Sequence, residues 1–225
     1  MTIFYLIFVA IIVIIILYVL YLRPLYSGTS VIKGNTQYKA DKLMIISHPD
    51  DELIFGSKEL IENPGWKVVC ITNGSKKSIN KISICYFMGQ RSTYRRDEFI
   101  NMMNLLHCQY EIWDYEDNYF NSNWNLKQLK NQLENLFREK TYKMVLTHNL
   151  AGEYGHTQHK TISKLLYDIN PPNLYTFYYD SNTINPYLNL IEKLSNVYQS
   201  QDKIIKKNYK YIKHQSKIAV KNDSK

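Results

Sequence analysis

The sequence predicts an α/β fold: a Rossmann-like, mostly parallel sheet with helices on both faces, preceded by one N-terminal transmembrane helix. Three features carry the prediction. Short β-like apolar runs alternate with stretches of helical periodicity, an uncharged run fills residues 3–22, and two clusters of ionisable residues each follow directly on an apolar run. With 225 residues, 45% of them hydrophobic, the chain can bury one proper core but not two large ones.

The first element is IFYLIFVAIIVIIILYVLYL, Ile3 to Leu22, which as a helix would span roughly 30 Å of hydrocarbon. It has no basic n-region and no small-x-small exit, so residues 1–22 are expected to be a retained anchor rather than a cleaved signal. Arg23, Lys33, Lys39 and Lys42 follow it against Asp41. By the positive-inside rule this makes a single-pass membrane protein whose catalytic domain faces the cytosol, with the endoplasmic reticulum as first candidate compartment. Three cysteines without ribbon spacing, Cys70, Cys85 and Cys108, agree with a reducing side. Residues 23–41 hold Pro, Gly, Ser and Thr without apolar periodicity and read as a linker.

The catalytic body, residues 42–201, opens on KLMIIS (42–47) and continues with WKVVCIT (66–72), YEIWD (110–114), YKMVLTH (142–148) and LYTFYYD (174–180) as strands. Between them lie helical repeats: Phe99, Met102, Met103 and Leu106; then Leu126, Leu129, Leu133, Leu136 and Phe137; then Ile162, Leu165 and Leu166. Strands alternating with such helices argue for βαβ units. Residues 202–225 are rich in lysine and read as a solvated basic tail that accounts for much of the net charge of +8; no nucleic-acid partner is expected.

The chemistry lies at two strand ends. SHPDDE, Ser47 to Glu52, packs one imidazole and the carboxylates of Asp50, Asp51 and Glu52 behind an apolar run. Repulsion and desolvation make such a cluster costly unless a cation is present or a group does chemistry. Alone, it also reads as a Pro-primed helix start with acids at the favourable end of the dipole. The second cluster is THNLAGEYGHTQHK, Thr147 to Lys160, whose His156 and His159 share a face if a helix begins near His156. Alone, that pair also fits an exposed helix face. In open parallel sheets ligands bind at the carboxyl edge, so both clusters can meet in one crevice. Imidazole with carboxylate suits Zn²⁺, and three protein ligands plus water define a catalytic site. HxxD from the first loop and one His from the second would supply that set.

Ser-His-Pro-Asp-Asp-Glu followed by a distal Gly-His-x-x-His resembles the zinc-dependent de-N-acetylases, the family that includes the N-acetylglucosaminyl-phosphatidylinositol deacetylase of GPI-anchor synthesis and deacetylases of the mycothiol and glycopeptide-antibiotic pathways. RRDEF (95–99) and YQSQ (198–201) resemble two further segments of that family, so the likeness covers residues 42–201. It implies one Zn²⁺ held by His48, Asp51 and His159, with Asp50 as general base and His156 stabilising transition-state charge. It further implies Tyr154 beside that histidine and Arg95 as a substrate contact. Asp114, at a strand end, is a candidate for a sugar hydroxyl. Gln158 departs from relatives that carry a carboxylate able to orient the preceding His, which bears on the charge of His156. The expected partners are a membrane and an N-acetylated amino sugar or glycolipid, GlcNAc-phosphatidylinositol first. Another GlcNAc-type glycan, or a catalytically silent membrane-tethered glycolipid-binding module, is the alternative.

Overall fold

The computed structural model describes residues 2–21, 30–74, 85–117 and 124–221, with side chains from 4–16, 30–74, 94–117 and 124–221. Five parallel strands form the centre of a seven-stranded sheet: β2 (Lys42–Ile46), β3 (Trp66–Thr72), β4 (Gln109–Tyr115), β5 (Met144–Thr147) and β6 (Leu174–Tyr179). With β1 (Val31–Gly34) and β7 (Gln215–Ala219) the order is β1-β4-β3-β2-β5-β6-β7, both edge strands running antiparallel. The chain lays β2, β3 and β4 outward in one direction, then returns to place β5 on the other side of β2. That reversal opens a crevice beyond the ends of β2 and β5.

Strand alternation builds a core on each face. Met44 and Ile46 join Leu53, Ile54 and Phe55 of α2 (Asp51–Glu62) and Phe99, Met102 and Met103 of α3 (Cys85–Leu105). Leu43 and Ile45, one residue out of phase, join Leu129, Leu133 and Leu136 of α4 (Leu126–Glu139) and Ile162, Leu165 and Leu166 of α5 (Thr157–Ile169). Near-continuous apolar strands are what a sheet covered on both faces needs.

Three expectations change. The linker read over 23–41 contains β1, which pairs with β4 from Val31↔Trp113 to Gly34↔Tyr110. Its composition hid it: an edge strand needs few apolar side chains, and Gly34 is there because a Cβ would collide with the Tyr110 ring. The basic tail read over 202–225 contains α7 (Asp202–Lys207), α8 (Tyr209–Lys213) and β7, after α6 (Leu188–Ser195) and a 3-10 turn at Gln199–Gln201. Lys203, Lys206, Lys207, Lys210 and Lys213 face solvent while Ile205, Ile212 and Gln215 are buried. Gln215 donates to the Leu53 and Ile54 carbonyls of α2 at 2.9 and 2.8 Å, and its Oε1 accepts from Lys58 N at 2.7 Å. A chain end that clasps a core helix in this way is part of the body. The third concerns α1 (Thr2–Tyr21), whose described side chains, 4–16, are all exposed. Among the described residues no helix is long and apolar enough to cross a membrane, so the structure gives the anchor expected at 1–22 no support; the side chains of 17–21 and all of residue 22 lie outside the described set.

Candidate metal centre and active site

β2 ends at Ile46 and α2 begins at Asp51, so Ser47 to Asp50 must turn within four residues. Asp50 makes the turn at φ 113°, a region that costs a non-glycine residue about 1–3 kcal/mol. As N-cap of α2 its carboxylate makes no capping bond, although Asp is a preferred capping residue. The side chain is left to the crevice. Asp51, one residue on, accepts from His48 N at 2.8 Å and sits 3.2 Å from His48 Nδ1.

The second loop, residues 148–156, braces itself. Asn149 N donates to Glu153 Oε1 and Glu153 N to Asn149 Oδ1, at 3.0 and 3.2 Å, while Gly152 and Gly155 turn at φ 68° and 96°. The loop delivers His156 as N-cap of α5 and His159 on its first turn.

Hydrogen bonds fix which imidazole nitrogens carry protons. Gln158 Nε2 donates to Glu116 O at 2.7 Å, which orients its amide so that Oε1 accepts from His48 Nε2 at 2.6 Å. Glu153 Oε2 accepts from His159 Nδ1 at 2.7 Å. In the neutral form that ligation requires, His48 Nδ1 and His159 Nε2 then carry the lone pairs and lie 3.2 Å apart, with Asp51 Oδ2 3.2 Å from the first and Asp51 Oδ1 3.4 Å from the second. Four-coordinate zinc with bonds of ~2.0–2.1 Å sets its ligands about 3.3 Å apart. The two nitrogens and the Asp51 carboxylate lie at that spacing, the carboxylate through Oδ2 toward His48 and through Oδ1 toward His159.

Two other groupings are close enough to hold an ion: His48, His156 and His159, and Asp51, His148 and His159. Each includes an engaged histidine. His156 Nδ1 accepts from Gln158 N at 3.3 Å, and His148 accepts from Ser47 N at 3.1 Å through Nε2 while Nδ1 donates to Glu153 at 3.0 Å. In the set His48, Asp51 and His159 each imidazole has one nitrogen bonded away, to Gln158 or Glu153, and the other beside the Asp51 carboxylate at 3.2 or 3.4 Å.

The charges agree. Burial alone would raise the Asp51 carboxyl, but His159, His48 and His148 hold it well below the usual carboxylate range. Burial would also raise Glu153; His148 and His159 bring it down to about 2. Asp50 goes the other way: burial, only partly opposed by Arg95, raises it to about 7. Burial and then the charges of His48 and His159 push His156 down to about 3. The shift favours a neutral imidazole, and with Nδ1 accepting from Gln158 N its proton is carried on Nε2.

The remaining candidates sort by position. Tyr154 is 40% exposed at the rim, its ring centroid 5.5 Å from that of His159 and 5.9 Å from that of His156. Arg95 is half-buried at the turn: Nη1 bonds Asp117 Oδ2 at 2.5 Å, and Nη2 bonds Pro49 O at 3.0 Å and lies 3.5 Å from Asp50 Oδ1. Asp114 accepts from Asn73 Nδ2 at 3.1 Å; it is Asp117 that reaches Arg95 and comes within 3.6 Å of His48 Nε2. The Gln158 side chain orients His48, while only its backbone N–H reaches His156. Glu153, Asp117 and His148 were not singled out from sequence. Glu153 had a readable signal, an acid inside GEYGH three residues before His156; Asp117 and His148 had none without their partners.

Residues 43–170 match the profile of the family described as PIG-L, GlcNAc-PI de-N-acetylase. A protein of Acanthamoeba polyphaga mimivirus, itself uncharacterized, is 93% identical over the whole length of both chains. Among solved structures, a mutant deacetylase of the teicoplanin biosynthetic pathway superposes with a TM-score of 0.61 at 14% identity, over 83% of this chain and 100% of that one. The N,N'-diacetylchitobiose deacetylase of Pyrococcus horikoshii gives 0.55 at 17% identity, over 80% and 84%. The 4-carboxy-2-hydroxymuconate hydratase of Pseudomonas putida gives 0.56 at 14% identity, over 84% and 98%. Deacetylases and a hydratase thus share the fold, which does not by itself choose a reaction.

Proposed function

From the premise that this chain belongs to the PIG-L family of GlcNAc-PI de-N-acetylases, we propose that it is a metal-dependent amide hydrolase that removes the N-acetyl group from a GlcNAc-type substrate, with GlcNAc-phosphatidylinositol as the first candidate. One observation supports the chemistry above the others: two imidazole nitrogens and a carboxylate lie 3.2–3.4 Å apart, with a second carboxylate on the adjacent residue that makes no capping bond and faces Arg95 at 3.5 Å. In this reading His48, Asp51 and His159 hold one divalent cation, Zn²⁺ by the character of the donors. When bound, such an ion polarises the amide carbonyl and acidifies an attacking water.

The chain's own residues do the rest. Asp50 takes the water proton as the oxygen adds to the acetyl carbon, and delivers it to the nitrogen as the C–N bond breaks, leaving acetate and a free amine. A carboxyl near pKa 7 before the cation is present is poised for both transfers, since the cation lowers it further. His156 donates Nε2–H to the developing oxyanion as a neutral donor, an interaction worth about 3–4 kcal/mol. Glu153 and Gln158 hold the two ligating imidazoles in their tautomers. Tyr154, at the rim, contacts the sugar beside the scissile amide.

Membrane attachment through residues 1–22, with the body on the cytosolic side, is part of the proposal; it rests on the uncharged apolar run of residues 3–22 in the sequence. It would bring the crevice to a lipid-linked substrate. The test is amine release by the full chain in detergent from GlcNAc-phosphatidylinositol and from simple GlcNAc glycosides, with chelator and zinc add-back. Chelator-sensitive release from the lipid alone supports the glycolipid reading, and release from the simple glycosides assigns the same chemistry to a broader glycan. No release from any acetamido sugar by folded, zinc-loaded protein would overturn the proposal in favour of a silent binding module.

A further inference from the structure

We propose that Tyr198 is a positioning residue for Asp50, acting through Glu52, so that the segment 198–200 near the end of the body holds the strained turn in its working geometry. The inference rests on the reading of Asp50 as general base. Asp50 sits at φ 113° without a capping bond of its own, so something outside the residue must keep it there. Glu52, fully buried, accepts the Asp50 N–H through Oε2 at 3.2 Å, and its other oxygen accepts from the Tyr198 hydroxyl. Tyr198 is itself fully buried. The path from phenol to carboxylate to the backbone of Asp50 is continuous.

A second arm leaves the same segment. Ser200 N and Oγ donate to Glu98 at 2.8 and 2.5 Å. Glu98 lies three residues along α3 from Arg95, whose guanidinium grips Pro49 O and faces Asp50 Oδ1. The turn is therefore held through Glu52 by Tyr198 on one side and by Arg95 on the other, and Ser200 bonds the helix that carries Arg95. The ligand pair is held differently: His48 N bonds Asp51 Oδ2 within the turn, and His159 is fixed by Glu153. Loosening the brace should misplace the base while leaving the ion in place.

The experiment compares the full-length chain with Tyr198→Phe, both loaded with Zn²⁺, by steady-state turnover of a GlcNAc glycoside or glycolipid and by hydrogen exchange at the Asp50 amide. The expected result is a fall in kcat of about tenfold or more, the scale of a small misplacement of a reacting group. KM should stay within about twofold, zinc stoichiometry should be unchanged and the Asp50 amide should exchange faster. In a Glu52→Ala background Tyr198→Phe should cost nothing further. If the buried substitution prevents folding, Ser200→Ala, at an exposed residue, releases the other arm and should give the same exchange signature with a loss of about two- to fivefold. Unchanged kcat and exchange, additive effects of the Tyr198 and Glu52 changes, or a loss that tracks zinc content would each overturn the proposal. Should the wild type release amine from no acetamido sugar while Tyr198→Phe still frees the Asp50 amide only when Glu52 is present, the reaction assigned to Asp50 fails and the brace stands.

Discussion

The β2–α2 turn and the β5–α5 loop both follow a central parallel strand, and both deliver residues to the same cluster, yet they reach their geometry by opposite means. The loop holds its own shape: Asn149 and Glu153 exchange bonds across its neck, two glycines make its corners, and the Glu153 carboxylate goes on to fix His148 and His159. The turn contains no glycine, puts an aspartate at φ 113°, and depends on Glu52 two residues on and on Arg95 and Tyr198 from distant parts of the chain. A residue that must keep its carboxylate uncommitted cannot also use it to stabilise its own backbone. Metal ligands can be held locally, whereas the base is held by the fold.

That contrast breaks first at Asp50. Asp50→Asn should lower kcat by about 10²–10⁴-fold with zinc retained, measured as amine release against metal content; full activity in the Asn variant would move the base elsewhere. In the loop, Glu153→Gln should act on the ion instead. Losing the acceptor that fixes His159 should weaken zinc binding by about 10–100-fold in competition with a chromophoric chelator. If affinity is untouched and only kcat falls, the loop is not the self-contained ligand holder described here.

Glu52 sharpens the comparison through pH. Burial raises its carboxyl to about 8 despite the Tyr198 hydroxyl. The folded state therefore binds a proton that the unfolded state, near 4.5, gives up. The stability this contributes is full below about 4.5 and is lost as pH rises through about 8. Glu52→Gln, whose amide can accept from Asp50 N and donate to Tyr198, should flatten that decline in the metal-free chain and gain about 1–3 kcal/mol at pH 8.5 by denaturant unfolding. A steeper decline would mean that the carboxylate is charged and well paired. Smallest is Lys33→Ala, far from both loops: its pair with Glu111 at 2.9 Å is more than half exposed on the lysine side, so the loss should stay below about 1 kcal/mol in thermal unfolding.

Much of this could be read directly from the chain. Alternating apolar runs and helical periodicities fixed five central strands and the helices between them, because burial on both faces leaves a periodic trace in any strand or helix it covers. The two clusters were legible because three acids behind a buried strand are too costly to be incidental. Edge elements left little trace: β1 and β7 cover little apolar surface, so one read as linker and the other as tail. The local sequence determined which residue types could bind a cation and where the strands would carry them. Only the tertiary structure decided the rest: that Gln158 serves His48, that Arg95 and Asp117 hold the turn rather than stand free, that His156 is neutral, and that Tyr198 reaches Glu52. Each of those depends on a partner far away in the chain, and a tautomer, a charge state or a strained φ is a property of the partners as much as of the residue.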